Sequence, residues 1–452
     1  MLGRSRLMPP RARRETLSLS TQVHHRSRNA ATRVAITLMV AIVASCTETA
    51  SAPTPAPEDS VGGEIFEPSS QWPEDALGGT SSTRTPVAPP VWIPLGVTAL
   101  NSEGRSGPMA APVKPTDRFL AIRVRPATPA PDAPWCYGVD HVIASDGQTW
   151  IGPLTGGAGA GQRAHGAHRA VPQHGYGVFV LPNDGQSDLP DGNVSFQVVL
   201  RDCTYDLSTR RVSGWNQRGR FETLPQVVTV EYATDAAPPA AATGSLELRV
   251  AVGRDEEGDL VTSPARLKAA LTEAAEIFAD AGVTLITERS AAIDASTTLS
   301  VGPGQRQQVD ALYERATEAL DDAESARYVP VMVVKCVEYL PPVGAKTLLG
   351  YTPRIPGGAP FGRSASGVVL ATHDCTKEPE LIEVKTWGRL MAHELGHHLG
   401  LFHSDEALSR GEREGVTPDL MRSDGAFSPG GRFISKHRRI LRRHFDIHFG
   451  DP

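Results

Sequence analysis

The sequence of 452 residues has no excess of positive charge: 45 Lys and Arg stand against 51 Asp and Glu, a formal net charge of −6. A nucleic-acid binder would show a basic stripe or a high pI, so no nucleic-acid partner is expected. The longest apolar run, Val34–Ser45, has only 12 residues. A membrane-crossing helix needs about 20, so this run is too short to span a bilayer. No internal repeat is visible. The Gly-rich stretch 152–166 is followed by neither a helix-forming pattern nor a Gly-Lys-Ser/Thr ending, which excludes a phosphate cradle and leaves a surface loop. Cysteine is scarce, with five in the chain: Cys46, Cys136, Cys203, Cys336 and Cys375.

What is present near the start is an export pattern. A basic stretch (Arg11, Arg13, Arg14, Arg26, Arg28 and Arg33) precedes the apolar run, as in the n- and h-regions of a signal peptide. The run closes on Val43-Ala44-Ser45-Cys46, which resembles the lipobox of bacterial lipoproteins. That resemblance implies lipid on Cys46, and hence membrane anchoring without a spanning segment. An exported, cell-envelope location is expected, at the outer membrane or cell surface, with release to the exterior as a variant of it. In such a setting the other four cysteines form an even set suited to disulfides, and sequence order suggests Cys136–Cys203 and Cys336–Cys375.

Composition divides the rest. Residues 47–91 are rich in Pro, Ser, Thr, Ala and Gly and read as a disordered tether. Residues 92–233 carry short β-type runs such as Phe119–Val124, Tyr176–Leu181, Val194–Leu200 and Val227–Tyr232, separated by turn formers. They are expected to form an all-β sandwich-like domain of unassigned role. Residues 234–244 read as a linker. From 245 to 452 strands alternate with helices, which predicts an α/β domain. Ser263-Pro264 opens a helix with a cap and an N1 proline, Leu267, Leu271, Ala274 and Phe278 keep its spacing, and Gly282 closes it. Buried-strand patterns stand at 329–335 and 366–371, and a helix is expected across roughly 383–399.

The chemistry concentrates in residues 393–403, His-Glu-Leu-Gly-His-His-Leu-Gly-Leu-Phe-His. His393 and His397 stand at i and i+4, so both imidazoles leave one face of a helix. Gly400 can take a left-handed conformation and end that helix. The chain can then return His403 as a third ligand. Three protein ligands leave one tetrahedral position of a single zinc ion for water, the mark of a catalytic site. Glu394 sits beside the metal without needing to ligate it and suits a general base. From this composition the five-position pattern arises by chance on the order of 10⁻⁴, so it outweighs the bare His-Glu-x-x-His.

The run resembles the signature of the metzincin zinc peptidases, in which a methionine turn follows. Asp419-Leu420-Met421-Arg422 supplies that turn, and the resemblance gives Met421 the role of a packing floor beneath the metal. It covers about 245–452 and implies a mixed twisted sheet with an active-site helix, hydrolysis of peptide bonds, and protein or peptide substrates. A substrate would add to an edge strand near 366–371, beside a pocket wall at about 404–425. The subfamily stays open. Ser404 follows the third histidine as in matrixins, the gap to Met421 is closer to the adamalysin type, and Ser423 stands where astacins and serralysins carry a ligating tyrosine. Calcium sites and oligomeric state are not legible. The competing reading is a lipid-anchored binding protein whose metallopeptidase domain is residual or latent.

Other residues read as bland. His398 points about 100° from the ligand face. His373 and Asp374 read as loop residues, and His165, His168 and His174 as solvated. Pro134–Asp140 resembles a cysteine switch only loosely, and Cys136 has a disulfide partner in prospect. The basic stretch 432–445 reads as a core helix with a solvated basic face.

Overall fold

The computed structural model describes residues 90–128, 135–152, 168, 170, 173–202, 205–206, 211–212, 227–239, 242–295, 298–301, 306–320, 328–340, 346–358, 366–376, 379–404 and 419–449. The leader with Cys46, nearly all of the tether, Cys203, His165 and residues 405–418 of the expected pocket wall lie outside them.

Among the described residues, strands dominate up to residue 236. They are β1 (Ile93–Ala99), β2 (Met109–Val113), β3 (Asp117–Pro126), β4 (Trp135–Ile143), β5 (Thr149–Ile151), β6 (Gln173–His174), β7 (Gly177–Leu181), β8 (Gly192–Asp202), β9 (Tyr205–Asp206), β10 (Arg211–Val212) and β11 (Val227–Ala236). One antiparallel sheet runs β1-β11-β3-β7, and a second runs β2-β8-β4-β5 with β6 added to β4. Period-two alternation explains how they meet. Leu120, Ile122 and Val124 of β3 and Val228 and Val230 of β11 share one core with Val139 of β4 and Val194, Phe196 and Val198 of β8. The alternate residues of β3, Phe119 and Ala121, are buried too, on the opposite face and against Phe445. The expected linker is shortened at both ends. Thr234, Asp235 and Ala236 still pair with Leu120, Phe119 and Asp117, and the next strand begins at Gly244.

The second half comprises β12 (Gly244–Gly253), α1 (Pro264–Ala279), β13 (Val283–Ile293), β14 (Thr298–Val301), α2 (Arg306–Leu320), β15 (Val329–Val334), β16 (Cys336–Tyr339), β17 (Lys346–Leu348), β18 (Gly350–Tyr351), β19 (Val368–Ala371), β20 (His373–Asp374), β21 (Glu380–Leu381), α3 (Val384–His398), α4 (Ser435–Arg443) and β22 (His448–Phe449). Its main sheet runs β13-β12-β15-β19-β18. The first four strands are parallel and β18 is antiparallel, while β22 pairs with the start of β12. Leu246, Leu248, Val250, Val331 and Leu370 face α1 and α3. Ala251, Met332, Val334 and Val369 face Leu312, Tyr313 and Ala316 of α2. Both faces are covered, which is why these strands read as continuous apolar runs. The whole is a multi-sheet α/β architecture with few helices.

Ser263 caps α1 by accepting from the Arg266 N–H at 3.2 Å, with Pro264 in the first turn. At α3 a carboxylate does this work: Glu383 accepts from the backbone N–H of Lys385 and Thr386 at 3.0 and 2.7 Å. Cys336 and Cys375 form a disulfide with Cα atoms 5.9 Å apart. Cys136 is also disulfide-bonded.

One expectation about the sheet needs correcting. The strand at 366–371 is not an edge. Val368–Ala371 is buried between β15 and β18, so among the described residues the edge position falls to Gly350–Tyr351.

Candidate metal centre

The third and fourth turns of α3 carry His393 and His397 on one face, and both are buried. The helix ends abruptly. Gly400 adopts φ +94°, a conformation that residues with a Cβ avoid, and the Leu401 N–H bonds back to the Gly396 carbonyl at 2.9 Å. The reversal brings His403 alongside. Its Nε2 lies 3.1 Å from the Nε2 of His393 and 3.1 Å from the Nε2 of His397. One ligand atom from each of the three residues falls within 4.8 Å of the others, the only such group of three or more among the described residues.

The outer ring nitrogens fix the protons. His393 Nδ1 donates to the Leu420 carbonyl at 2.7 Å, and His397 Nδ1 donates to the Leu401 carbonyl at 2.6 Å. A carbonyl can only accept, so these bonds place the proton on Nδ1 and leave Nε2 as a lone-pair donor aimed inward. Lone pairs converging at 3.1 Å repel unless a proton or a cation lies between them. The donor set therefore fits one divalent ion that favours imidazole nitrogen, such as zinc.

Met421 lies beneath the helix and is fully buried. Gly396 makes room for it, since a Cβ there would stand 2.7 Å from the Met421 sulfur. The turn is tied twice to the centre: Leu420 accepts from His393, and the Ser404 N–H donates to the Met421 carbonyl at 2.9 Å. Asp419 anchors it by accepting from the Met421 N–H at 2.9 Å, with His437 Nδ1 at 3.3 Å. Burial pushes the Asp419 carboxyl up, but bonds from His437, Ser404 and Met421 outweigh burial and hold it below its ordinary value.

Glu394 follows His393 on the helix and is buried. Burial pushes its carboxyl up to about 7 in the protein itself, and a hydrogen bond from Thr352 offsets part of that. The Thr352 hydroxyl lies 2.7 Å from Glu394 Oε2 and 3.0 Å from the Glu394 carbonyl. Edge strand β18 runs directly against this carboxyl: a Cβ on Gly350 would stand 2.6 Å from Glu394 Cγ and Oε1. Sequence reasoning missed Thr352, Gly350, Asp419 in its anchoring role and His437. None of them stands at a helical or ligand spacing from the motif.

The remaining candidates fall elsewhere. His398 is buried on another face, with Nε2 3.0 Å from Asp446. His373 sits in the short β20–β21 ladder, its Nδ1 2.8 Å from the Thr372 hydroxyl. Cys136, being disulfide-bonded, has no thiolate to offer a metal. His168 is not solvated but fully buried, stacked on Trp150 at 4.8 Å, because the indole takes the ring into the core of the N-terminal sheets. The basic C-terminal helix is only partly solvated, since Arg443 is buried.

No protein-family model matches this chain, and no curated protein does. Solved structures similar to it include mirolysin in complex with a small compound, at 14% identity and a TM-score of 0.30, covering 45% of this chain and 91% of that one. The archaemetzincin of Methanopyrus kandleri is similar at 16% identity and a TM-score of 0.25, covering 46% of this chain and 98% of that one.

Proposed function

We propose that this chain is a metzincin-type zinc endopeptidase that hydrolyses peptide bonds in proteins, joined to an N-terminal β-sandwich and held at the cell envelope by lipid on Cys46. One observation carries the catalytic part: three imidazole Nε2 atoms converge, two of them with the opposite nitrogen locked to a carbonyl, and the residue after His393 on the same helix, Glu394, carries a buried carboxyl.

His393, His397 and His403 would hold the zinc. Bound there, zinc supplies Lewis acidity, raising the acidity of a water and polarising the scissile carbonyl. Glu394 accepts the proton of the attacking water, whose oxygen adds to the carbonyl carbon. Glu394 then delivers that proton to the amine nitrogen as the C–N bond breaks. Thr352 holds the carboxyl in one orientation, so no rotamer search precedes proton transfer. Met421 keeps the helix and the return of the chain at fixed separation. An extended substrate would pair its main chain with edge strand Gly350–Tyr351, which brings the scissile bond alongside Glu394.

The test is cleavage of a generic quenched peptide library by the wild type and by Glu394→Gln. Cleavage by the wild type alone, with metal retained in both, supports the reading. Equal cleavage by both removes Glu394 from the mechanism.

A further inference from the structure

The N-terminal sheets and the half carrying the histidines meet through buried groups. Phe119 and Ala121 of β3, with Val178 and Val180 of β7, enclose Phe445, and the Phe119 and Phe445 ring centroids lie 6.3 Å apart. Buried Arg118 donates to the Ile447 carbonyl at 2.8 Å and lies over the Phe449 ring at 5.0 Å. Arg439 and Arg443 both reach Asp188, but that carboxylate is 76% exposed, so these pairs contribute little. The apolar and hydrogen-bonded contacts carry the interface.

One of those contacts bears on the catalytic carboxyl. Buried Gln173 accepts from the Val178 N–H at 3.1 Å and donates to the Val178 carbonyl at 2.7 Å. It also reaches the carbonyls of Ile355 and Pro356 at 3.3 Å each. Beside it Arg354 donates to the Tyr176 carbonyl at 3.2 Å and lies over the Tyr176 ring at 3.7 Å. The gripped segment starts at Thr352, the partner of Glu394, and ends at Gly357, whose N–H donates to the His398 carbonyl at 2.7 Å. Gln173 and Tyr176 therefore hold from outside the strap that lies between edge strand and active-site helix.

We propose that the N-terminal sheets are a permanent half of the catalytic unit, not a removable prosegment, and that Gln173 is the positioning residue that fixes the strap Thr352–Gly357 against α3. Removal of the sheets would expose Phe445 and leave the Ile355 and Pro356 carbonyls without the Gln173 amide. The kinetic readout below rests on the peptidase reading; the association and exchange readouts do not.

The experiment uses the full chain with a site for a sequence-specific protease inserted between Pro239 and Ala242, flanked by exposed Ala237 and Thr243. After cutting, the two pieces are expected to elute together in gel filtration and to unfold in one transition. Separation of the pieces, or a rise in peptide cleavage as the N-terminal piece leaves, overturns the proposal. In the uncut chain, Gln173→Glu keeps the acceptor for the Val178 N–H and replaces the donating amide with a group that repels the carbonyls of Val178, Ile355 and Pro356. Exchange of the Gly357 amide is expected to quicken roughly tenfold while the amides of Val331 and Val333 stay unchanged. On an active enzyme kcat falls by about the same factor, with KM and zinc content unaltered. Unchanged Gly357 exchange, or equal quickening across the central strand, overturns the positioning role. Loss of zinc or of all cleavage in the wild type would instead count against the peptidase reading and leave the other two readouts to judge the proposal.

Discussion

The hydroxyl of Thr352 lies 2.7 Å from Oε2 of Glu394, although 42 residues separate them in the chain. The bond crosses from the end of the sheet's edge strand to the helix that carries the histidines. It gives a buried carboxylate a fixed partner. Thr352→Val keeps the shape and removes the donor. It is expected to lower kcat by roughly tenfold, the equivalent of one hydrogen bond, while zinc content stays at the wild-type level. Steady-state kinetics with metal analysis on the same sample checks both.

Gly350 presses on the same carboxyl. In Gly350→Ala the new methyl would meet Glu394 Cγ and Oε1 at 2.6 Å. The movable partner is the carboxylate end, so function should suffer before stability does. A displacement near 1 Å costs on the order of a hundredfold in rate. The variant should melt close to the wild type and cleave far more slowly. Normal rates would place the carboxylate elsewhere.

Gly396→Ala addresses the floor of the site. Its methyl would stand 2.7 Å from the Met421 sulfur and 3.2 Å from the Phe433 ring, both in the core. Overpacking of this kind destabilises by about 1–3 kcal/mol. Denaturant unfolding should show that loss, and zinc should dissociate faster because the turn bearing Leu420 holds His393.

Two buried histidines weaken the fold in acid. Burial pushes His168 down to about 4, opposed by Asp184 and reinforced by Arg443. Burial pushes His444 down to about 3, opposed by Asp446 and reinforced by His398. The unfolded chain takes up these protons near the ordinary histidine value of about 6.5. Between there and about 4 the unfolded state binds more protons, so stability falls as pH falls through that window. For His168 alone the loss between pH 7 and 5 is about 2 kcal/mol. Buried Glu394, held up at about 7, works the other way over the same range, so the readout is a difference: in urea unfolding His168→Gln should lose about 2 kcal/mol less than the wild type between the two pH values.

Local chemistry was readable in the sequence, and apart from the Cys336–Cys375 bridge the long-range contacts were not. Ser263-Pro264 marks the start of α1, and the four-residue step from His393 to His397 marks a helix face, because each signal lies within a few residues. The apolar run 368–371 was equally readable as a strand. Burial on both faces, which makes such a run continuous, argues for an interior position, and the structure puts it there. The edge strand Gly350–Tyr351 has two residues and no alternation to detect. Thr352, Gly350 and Gln173 act through contacts set only by the tertiary fold. His168 reads as a solvated loop residue in the sequence, but stacking on Trp150 decides its burial, and no spacing links the two.

The most direct test is zinc stoichiometry on the full chain by elemental analysis, for the wild type, Glu394→Gln and His403→Ala. The account predicts one zinc per chain in the first two and a large loss in the third, because Glu394 works beside the metal and His403 holds it. No zinc in the wild type, or zinc retained in full by His403→Ala, would contradict the three-histidine centre on which the proposed function stands.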